Sequence, residues 1–154
     1  MKEQPGETHY RLDDVDRGII AALKEDGRMS FAEIARRLDV SAGMVRQRYL
    51  DLAEEGILQV VAVTNPTLMG YNTMALVGVR VDGNRLRDIA RRMAAFEEVV
   101  YLVLCTGTFD ILVEVACRDN AHLLQFLTEH LRAIEGVVHT ETIIYLEIVK
   151  ETYI

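Results

Sequence analysis

The sequence predicts an α+β protein, in which an N-terminal winged helix-turn-helix is followed by a ferredoxin-like β-α-β-β-α-β sandwich domain. Residues 30–52 contain two short amphipathic segments, each preceded by a serine. Residues 73–150 repeat one helix-to-strand pattern at an offset of 38 residues. Residues 64–66, Thr-Asn-Pro, interrupt both periodicities. We therefore expect a tail at 1–11, the helix-turn-helix domain at 12–63, a linker at 64–72 and the sandwich domain at 73–154.

A helix is expected before the motif, because apolar residues recur there on one face of a 3.6-residue period. That face consists of Leu12, Val15, Ile19, Ile20 and Leu23. Asp13, Asp14 and Asp16 lie near its amino end, where carboxylates interact favourably with the helix dipole. Together with the two helices of the motif, this segment completes a three-helix core.

Both helices of the motif carry start signals. Ser30 is placed to cap the first helix, and Glu33, three residues later, is placed to complete a capping box. The apolar face of that helix is Phe31, Ile34, Ala35 and Leu38. Ser41 is placed to cap the second helix, and Gly56 provides its end. The apolar face of the second helix is Val45, Tyr49, Leu52 and Ala53.

The opposite face of the second helix is small and cationic near its start. Its candidate contacts to a DNA major groove are Ser41, Gly43, Arg46, Gln47 and Arg48. Arginine and glutamine side chains match guanine and adenine edges, and arginine also pairs with phosphates. The same residues are compatible with a solvated helix face. Gly43 costs helix stability, so either close approach to a sugar-phosphate surface or packing against the preceding helix would explain it.

The segment from Ile57 to Val63 is rich in β-branched residues, and we expect it to form the hairpin wing of the first domain. In the second domain, the repeat pairs Leu86 with Leu124 and continues through five more apolar matches. These are Ile89 with Leu127, Met93 with Leu131, Phe96 with Ile134, Val99 with Val137 and Val100 with Val138.

Three segments of the second domain, 75–81, 99–105 and 143–148, are apolar at nearly every position and are expected to be strands. Strands of this kind are typically buried on both faces. Helices cover only one face of a split β-α-β sheet. We therefore expect a second copy of the chain to cover the other face, giving a homodimer.

The turn expected between the middle strands reads Thr106-Gly107-Thr108-Phe109-Asp110. Its amides could bind the carboxylate of an amino acid, and Asp110 could bind the ammonium group. An ordinary hairpin turn explains the same residues, and spacing alone favours that interpretation. Thr140 and Thr142 alternate on one strand face and could line a pocket for such an effector, although threonine is common in strands.

Composition excludes several classes of protein. The net charge is −7, yet residues 30–50 carry four arginines against two acidic side chains. DNA binding by one copy should therefore be weak, and several joined copies should be needed.

No apolar stretch approaches the ~20 residues of a membrane helix, and the N-terminus has no secretory pattern, so we expect a cytoplasmic protein. We expect Cys105 and Cys117 to stay reduced, because a turn near Thr108 would not place them opposite each other.

Chemistry-bearing motifs are scarce. The four histidines, at 9, 122, 130 and 139, do not have the spacing of a helical zinc site. No phosphate-binding loop and no nucleophile beside a base is recognisable. The sequence therefore predicts no catalytic residue, no cofactor and no metal site.

Taken in order, many short stretches resemble the Lrp/AsnC family of feast/famine transcriptional regulators over about residues 12–150. The matching stretches are Leu12 to Asp16 with Ile19 and Ile20, Asp26-Gly27-Arg28, Ile34-Ala35 through Val40-Ser41, Val45 with Arg48, Glu54 to Leu58, Asn65-Pro66 with Gly70-Tyr71, Thr106-Gly107 with Asp110, and Gly136-Val137 with Thr140 and Thr142. Two departures stand out. Ala42 replaces the proline that often follows the capping serine, and Leu50 and Asp51 replace residues that are often basic.

The resemblance implies a DNA-binding domain followed by an effector-binding and oligomerisation domain. It implies partners of three kinds: double-stranded DNA, a small-molecule effector such as an amino acid bound near residues 106–110, and further copies forming dimers that often assemble into octamers. It makes effector binding the favoured interpretation of that turn. Two alternatives remain: a sirohaem decarboxylase-like enzyme, which resembles the family but has arginine, histidine and tryptophan where this chain has none, and a member that acts by mixed oligomerisation without binding DNA.

Overall fold

The computed structural model describes residues 10–150, apart from the side chain of Asn84. Most of the expected tail, residues 1–9, lies outside this range, as do residues 151–154. The chain divides into two compact units between Val63 and Thr64. None of the helices within residues 10–150 is long and apolar enough to cross a membrane.

The first unit contains the three expected helices, α1 (Asp14–Glu25), α2 (Phe31–Leu38) and α3 (Ala42–Glu54). Each helix contributes apolar side chains to one core, which confirms the sequence-based faces. The buried members of that core are Ile19, Ala22, Leu23, Met29, Ile34, Ala35, Val45 and Leu52. Phe31 and Tyr49 join α2 to α3 at its edge, with ring centroids 5.2 Å apart.

Both serine caps are formed as predicted, but the complete capping box lies at a different helix from the one expected. The hydroxyls of Ser30 and Ser41 accept hydrogen bonds from the amides of Glu33 and Met44, at 3.2 and 3.1 Å. The other bond of the expected capping box, from the Ser30 amide to the Glu33 carboxylate, is not formed. The Glu33 carboxylate instead lies 3.4 Å from the Arg37 guanidinium. A complete capping box is formed instead at the start of α1, between Asp13 and Asp16.

The expected hairpin wing is not formed. No residue between Ile57 and Val63 belongs to a strand, and Val61 and Val63 are 63% and 58% exposed. The segment has high β propensity, but it contains no turn residue that would fold it back and no neighbouring strand in the described chain to pair with. The prediction of a wing is therefore wrong for the single chain.

The second unit is a four-stranded antiparallel sheet of β1 (Thr73–Val81), β2 (Val99–Leu104), β3 (Ile111–Cys117) and β4 (Val137–Ile144). Its spatial order is β2-β3-β1-β4. The helices are α4 (Leu86–Met93) and α5 (Asn120–Gln125), which continues as a π-helical turn, Phe126–Leu131. This order confirms the ferredoxin-like sandwich. The last strand begins at Val137 and ends at Ile144, so the expected strand at 143–148 is placed too late.

The repeat of 38 residues is visible in the strand starts, Val99 and Val137, but not throughout the helices. Leu124 was expected on the buried face and is 63% exposed. Leu123 and Phe126 are buried in its place. The π-helical turn inserts an extra residue into the second helix, which rotates its apolar positions relative to those of α4.

The two faces of the sheet differ strongly. Alternate residues of β1 and β3 pack under the helices, where Val77 opposite Val113 is fully buried. On the other face, which we call the open face, Tyr101 is 57% and Ile143 52% exposed. The expectation that both faces are buried is therefore not met within one chain. An apolar face of this kind requires a cover that the described chain does not supply.

Both cysteines are free, as expected. The Cys105 amide donates to the carbonyl of Asp110, whereas Cys117 lies at the other end of β3, opposite Thr73. Burial, with Glu98 and Asp119 nearby, raises the pKa of the Cys117 thiol to about 11.

Candidate nucleic-acid interface and effector site

The exposed face of α3 begins at its capped end. Ser41, Ala42 and Gly43 are all exposed there. A β-carbon added at Gly43 would meet nothing nearer than the Ser41 hydroxyl, at 3.9 Å. Packing against the preceding helix therefore does not explain this glycine. The backbone at the start of α3 is open to the approach of another molecule.

Arg46 and Gln47 continue this face. Both side chains are exposed, and within residues 10–150 Arg46 has no hydrogen-bond or ion-pair partner. The Gln47 amide donates to the Asp51 carboxylate at 2.9 Å, one turn further along the helix. The Arg46 guanidinium can therefore bind an external anion without breaking a bond within the described residues. The Gln47 amide would first have to break its hydrogen bond to the Asp51 carboxylate.

Arg48 points the other way, into the first unit. Its guanidinium lies 2.9 Å from the Asp13 carboxylate and 3.6 Å from that of Asp16. It also donates to the Tyr10 hydroxyl at 3.4 Å, and that hydroxyl donates to Asp16 at 3.2 Å. We call Tyr10, Asp13, Asp16 and Arg48 the Arg48 network. It ties α3 to the capping box of α1.

The Arg48 network favours the charged forms of both Asp13 and Arg48. The hydrogen bond that the Asp13 carboxylate accepts from the Asp16 amide lowers the pKa of Asp13, and the nearby Arg48 charge lowers it further, although burial opposes both effects. The Tyr10 hydrogen bond and the charges of Asp13 and Asp16 raise the pKa of Arg48. Asp16 is fully buried. The sequence showed Asp16 only as one of three acidic residues at a helix start, but its position three residues before Ile19, on the apolar face, signals burial.

The turn between β2 and β3 lies against β1. The Asp110 amide donates to the Val79 carbonyl at 3.0 Å, and the Asp110 carboxylate accepts from the Val81 amide at 2.9 Å. Thr106, Gly107 and Thr108 are exposed, and Gly107 has φ +130°. Asp110 is half-buried, with one carboxylate oxygen used by the sheet. The remaining oxygen and the exposed turn backbone can meet a ligand.

Phe109 is the residue of this turn that sequence reasoning did not single out. A β-carbon added at Gly78, in the middle of β1, would lie 2.6–2.7 Å from three atoms of the Phe109 ring. The ring therefore rests on the backbone of β1 at Gly78. The available signal was a glycine inside an otherwise apolar strand, which often marks a close approach.

Thr140 and Thr142 reach the same end of the sheet as the turn but lie on the other side of β1. Thr140 pairs with Val79 and Thr142 with Val77, so both point towards the helices. The Thr140 hydroxyl accepts a hydrogen bond from Arg132 at 2.9 Å, beside a cavity of about 390 Å³. Val79 thus has Asp110 on one side and Thr140 on the other.

The described residues contain no group of three His, Cys, Asp or Glu side chains placed to hold a metal ion. His122 is engaged structurally. Its ring accepts from the Arg118 amide at 3.2 Å and contacts the Glu98 carboxylate at 3.0 Å.

The exposed capped helix of the first unit and the sandwich that follows it in the sequence define a two-domain protein of the helix-turn-helix type. Residues 12–53 match the family model of the AsnC-type helix-turn-helix domain, and residues 74–154 match that of the Lrp/AsnC ligand binding domain. The chain belongs to the Lrp/AsnC family of transcriptional regulators.

Relatives and solved structures agree with this assignment. An uncharacterized HTH-type transcriptional regulator of Pyrococcus horikoshii is 35% identical over 97% of this chain and 95% of its own length. The regulator FL11 of Pyrococcus furiosus is 32% identical over 92% and 93%. The structure of E. coli AsnC superposes with a TM-score of 0.86 at 26% identity, covering 94% of this chain and 99% of that one. A Neisseria meningitidis regulator, solved as a complex with L-Met, has a TM-score of 0.82 at 25% identity, covering 92% and 94%.

Proposed function

We propose that this chain is a sequence-specific DNA-binding regulator whose assembly or DNA binding is modulated by an amino acid. The exposed start of α3 carries the proposal, because Gly43 leaves its backbone open and Arg46 is unpaired within the described residues. Ser41, Gly43, Arg46 and Gln47 are the proposed DNA contacts. Arg48, which the sequence suggested as a fifth, acts through the Arg48 network by holding α3 in place.

The amino acid binds at the turn of residues 106–110. Exposed amides of the turn meet its carboxylate, and the free oxygen of Asp110 meets its ammonium group. The L-Met complex of the Neisseria relative supports an amino acid as the class of ligand. Thr140 and Thr142 lie on β4, on the other side of β1 from the turn, and act on the site only through β1.

Assembly begins with a homodimer. The open face exposes apolar side chains of β2 and β4, and a second copy of the same face is the simplest cover for it. Dimers then associate further, up to an octamer, and the ligand at the turn changes that association. We infer no enzymatic activity, because the relatives of this chain are named transcriptional regulators.

Replacing Arg46 with alanine tests the DNA-binding surface. We expect the affinity for duplex DNA to fall about tenfold near physiological salt, because one cation is removed from the proposed interface. The slope of log K against log salt should fall by about 1, since one phosphate contact is lost. Fluorescence anisotropy with a labelled duplex over a range of salt concentrations measures both.

Arg87→Ala is the matched control, because Arg87 is an exposed arginine of α4 in the other unit. Its affinity and salt slope should equal those of the parent protein. Absence of binding by the parent protein even at low salt would instead indicate a member that acts by mixed oligomerisation. Equal salt slopes for Arg46→Ala and the parent would remove Arg46 from the interface.

Asp110→Asn tests the effector site. Asparagine keeps an oxygen that accepts from the Val81 amide but lacks the charge that binds an ammonium group. We expect affinity for the amino acid to fall by a factor of ten or more, while DNA binding without ligand is unchanged. Calorimetric titration of the twenty amino acids against both proteins identifies the ligand and measures the loss. Asp82→Asn, at an exposed position just after β1, should bind as the parent does; equal binding by Asp110→Asn would place the ligand elsewhere.

A further inference from the structure

The exposed face of α3 is less polar than its sequence suggests. Arg48 is held by Asp13 and Asp16, and the Gln47 amide is bonded to Asp51. Two large apolar side chains remain in solvent on this helix, Met44 at 45% and Leu50 at 46% exposed. Of the polar side chains proposed for base contacts, Arg46 alone has no bond to the described chain.

Leu50 lies at the centre of the exposed face rather than at its margin. Val45 and Leu52, which are fully buried, mark the opposite side of the helix. At 100° per residue, Leu50 follows Gly43 by almost two complete turns, so the two share a line along the helix. Arg46 lies one turn before Leu50 on the same side. A molecule that approaches closely at Gly43 therefore meets Leu50 as well.

The spacing along this line suits a DNA groove. Seven residues of α-helix from Gly43 to Leu50 span about 10 Å, which is close to three base-pair steps of about 3.4 Å. A helix that enters the major groove at its capped end contacts base edges first with its N-terminal residues. Leu50, two turns further along the same line, faces the groove beyond them.

A leucine side chain offers no hydrogen bond to a base. Placed against guanine, cytosine or adenine edges, it would remove polar groups from water without compensation. The C5-methyl group of thymine is the one apolar feature of the major groove of unmodified DNA. We propose that Leu50 recognises a thymine methyl group and thereby contributes to operator specificity. The inference rests on the proposed DNA-binding function and adds the base that Leu50 selects.

Removing the methyl group tests the proposal directly. The full chain is first used to select tight-binding duplexes from a random pool of 30-bp DNA, and the best duplex is resynthesised with each thymine replaced by uracil in turn. At one thymine in each half-site, uracil should weaken binding by the parent protein about three- to fivefold, the contribution of about one buried methyl group. Leu50→Ala should bind the thymine duplex more weakly and should no longer distinguish uracil at that position.

Leu124→Ala is the control, because it removes the same atoms from an exposed leucine in the other unit and should keep the full thymine preference. The proposal is overturned if no thymine is sensitive to demethylation, or if Leu50→Ala keeps the parent's sensitivity. Loss of self-association in Leu50→Ala with an unchanged thymine preference would assign Leu50 to a contact between copies, which also overturns it. If the pool yields no bound duplex, the proposed function itself fails.

Discussion

Replacing Asp16 with alanine is expected to destabilise the N-terminal unit by about 2 kcal/mol, because two hydrogen bonds in a buried position are lost. The Asp16 carboxylate accepts from the Asp13 amide at 3.0 Å and from the Tyr10 hydroxyl at 3.2 Å. The same substitution removes half of the α1 capping box. Hydrogen exchange of the α1 and α3 amides in the full chain, followed as urea is increased, measures the loss.

Asp14→Ala is the matched control. Asp14 is an exposed carboxylate in the same first turn of α1, so its removal alters the helix dipole interaction but no buried bond. Its effect should be a few tenths of a kcal/mol. Equal protection of α3 in Asp16→Ala and Asp14→Ala would mean that the Arg48 network does not hold α3 against α1.

The Asp16 substitution also separates positioning from contact on the DNA-binding surface. It should weaken DNA binding because α3 is less firmly held, yet the slope of log K against log salt should stay as in the parent protein. Arg46→Ala should do the reverse, lowering the slope without changing stability. The two variants together distinguish a cation that meets the phosphates from a carboxylate that acts through the fold.

Gly78→Ala is expected to destabilise the C-terminal unit by about 1–3 kcal/mol through overpacking. The new β-carbon would lie 2.6 Å from the Phe109 ring in the middle of a buried strand, so either the ring or β1 must move. Asp110 follows Phe109 directly, and its two bonds to β1 should weaken as the turn shifts. Urea unfolding, monitored by hydrogen exchange of the β1 and β3 amides, measures the change.

A double-mutant cycle identifies the cause. Phe109→Ala removes the ring that a β-carbon at residue 78 would strike. The loss of stability caused by Phe109→Ala should therefore be smaller in the Gly78→Ala background than in the parent protein. Additive losses would show that the ring is not what the glycine accommodates. Gly83→Ala is unsuitable as a control, because its φ of +63° introduces backbone strain of its own.

Sequence patterns were reliable where neighbours along the chain supply the interactions. Ser30 and Ser41 cap their helices through amides three residues away, and the apolar periods of α1, α2 and α3 identify the buried sides. The repeat located the starts of β2 and β4, and the order of the elements was enough for the sandwich. The residues that match the family also located the candidate DNA-binding face and the turn at Gly107 and Asp110.

Patterns did not anticipate contacts between segments that lie far apart in the chain. Arg48 is cationic and near the exposed side of α3, and only the packing of α1 against α3 gives it Asp13 and Asp16 as partners. The β-branched residues near Val61 have strand propensity, but propensity does not supply a neighbouring strand. Likewise, the π-helical turn at Phe126 exchanges Leu124 for Leu123 in the core, which a period of 3.6 residues does not anticipate.

By itself, the sequence determined most of the helices and strands, where several of them begin, and which family the chain resembles, since these depend on capping, periodicity and residues close together in the chain. Only the tertiary structure decided that Arg48 is bound while Arg46 has no partner within residues 10–150, that Asp110 supports β1, and that Phe109 rests on Gly78. Those outcomes depend on contacts between segments about 30 residues apart, and the energies of such contacts exist only once the segments are packed together.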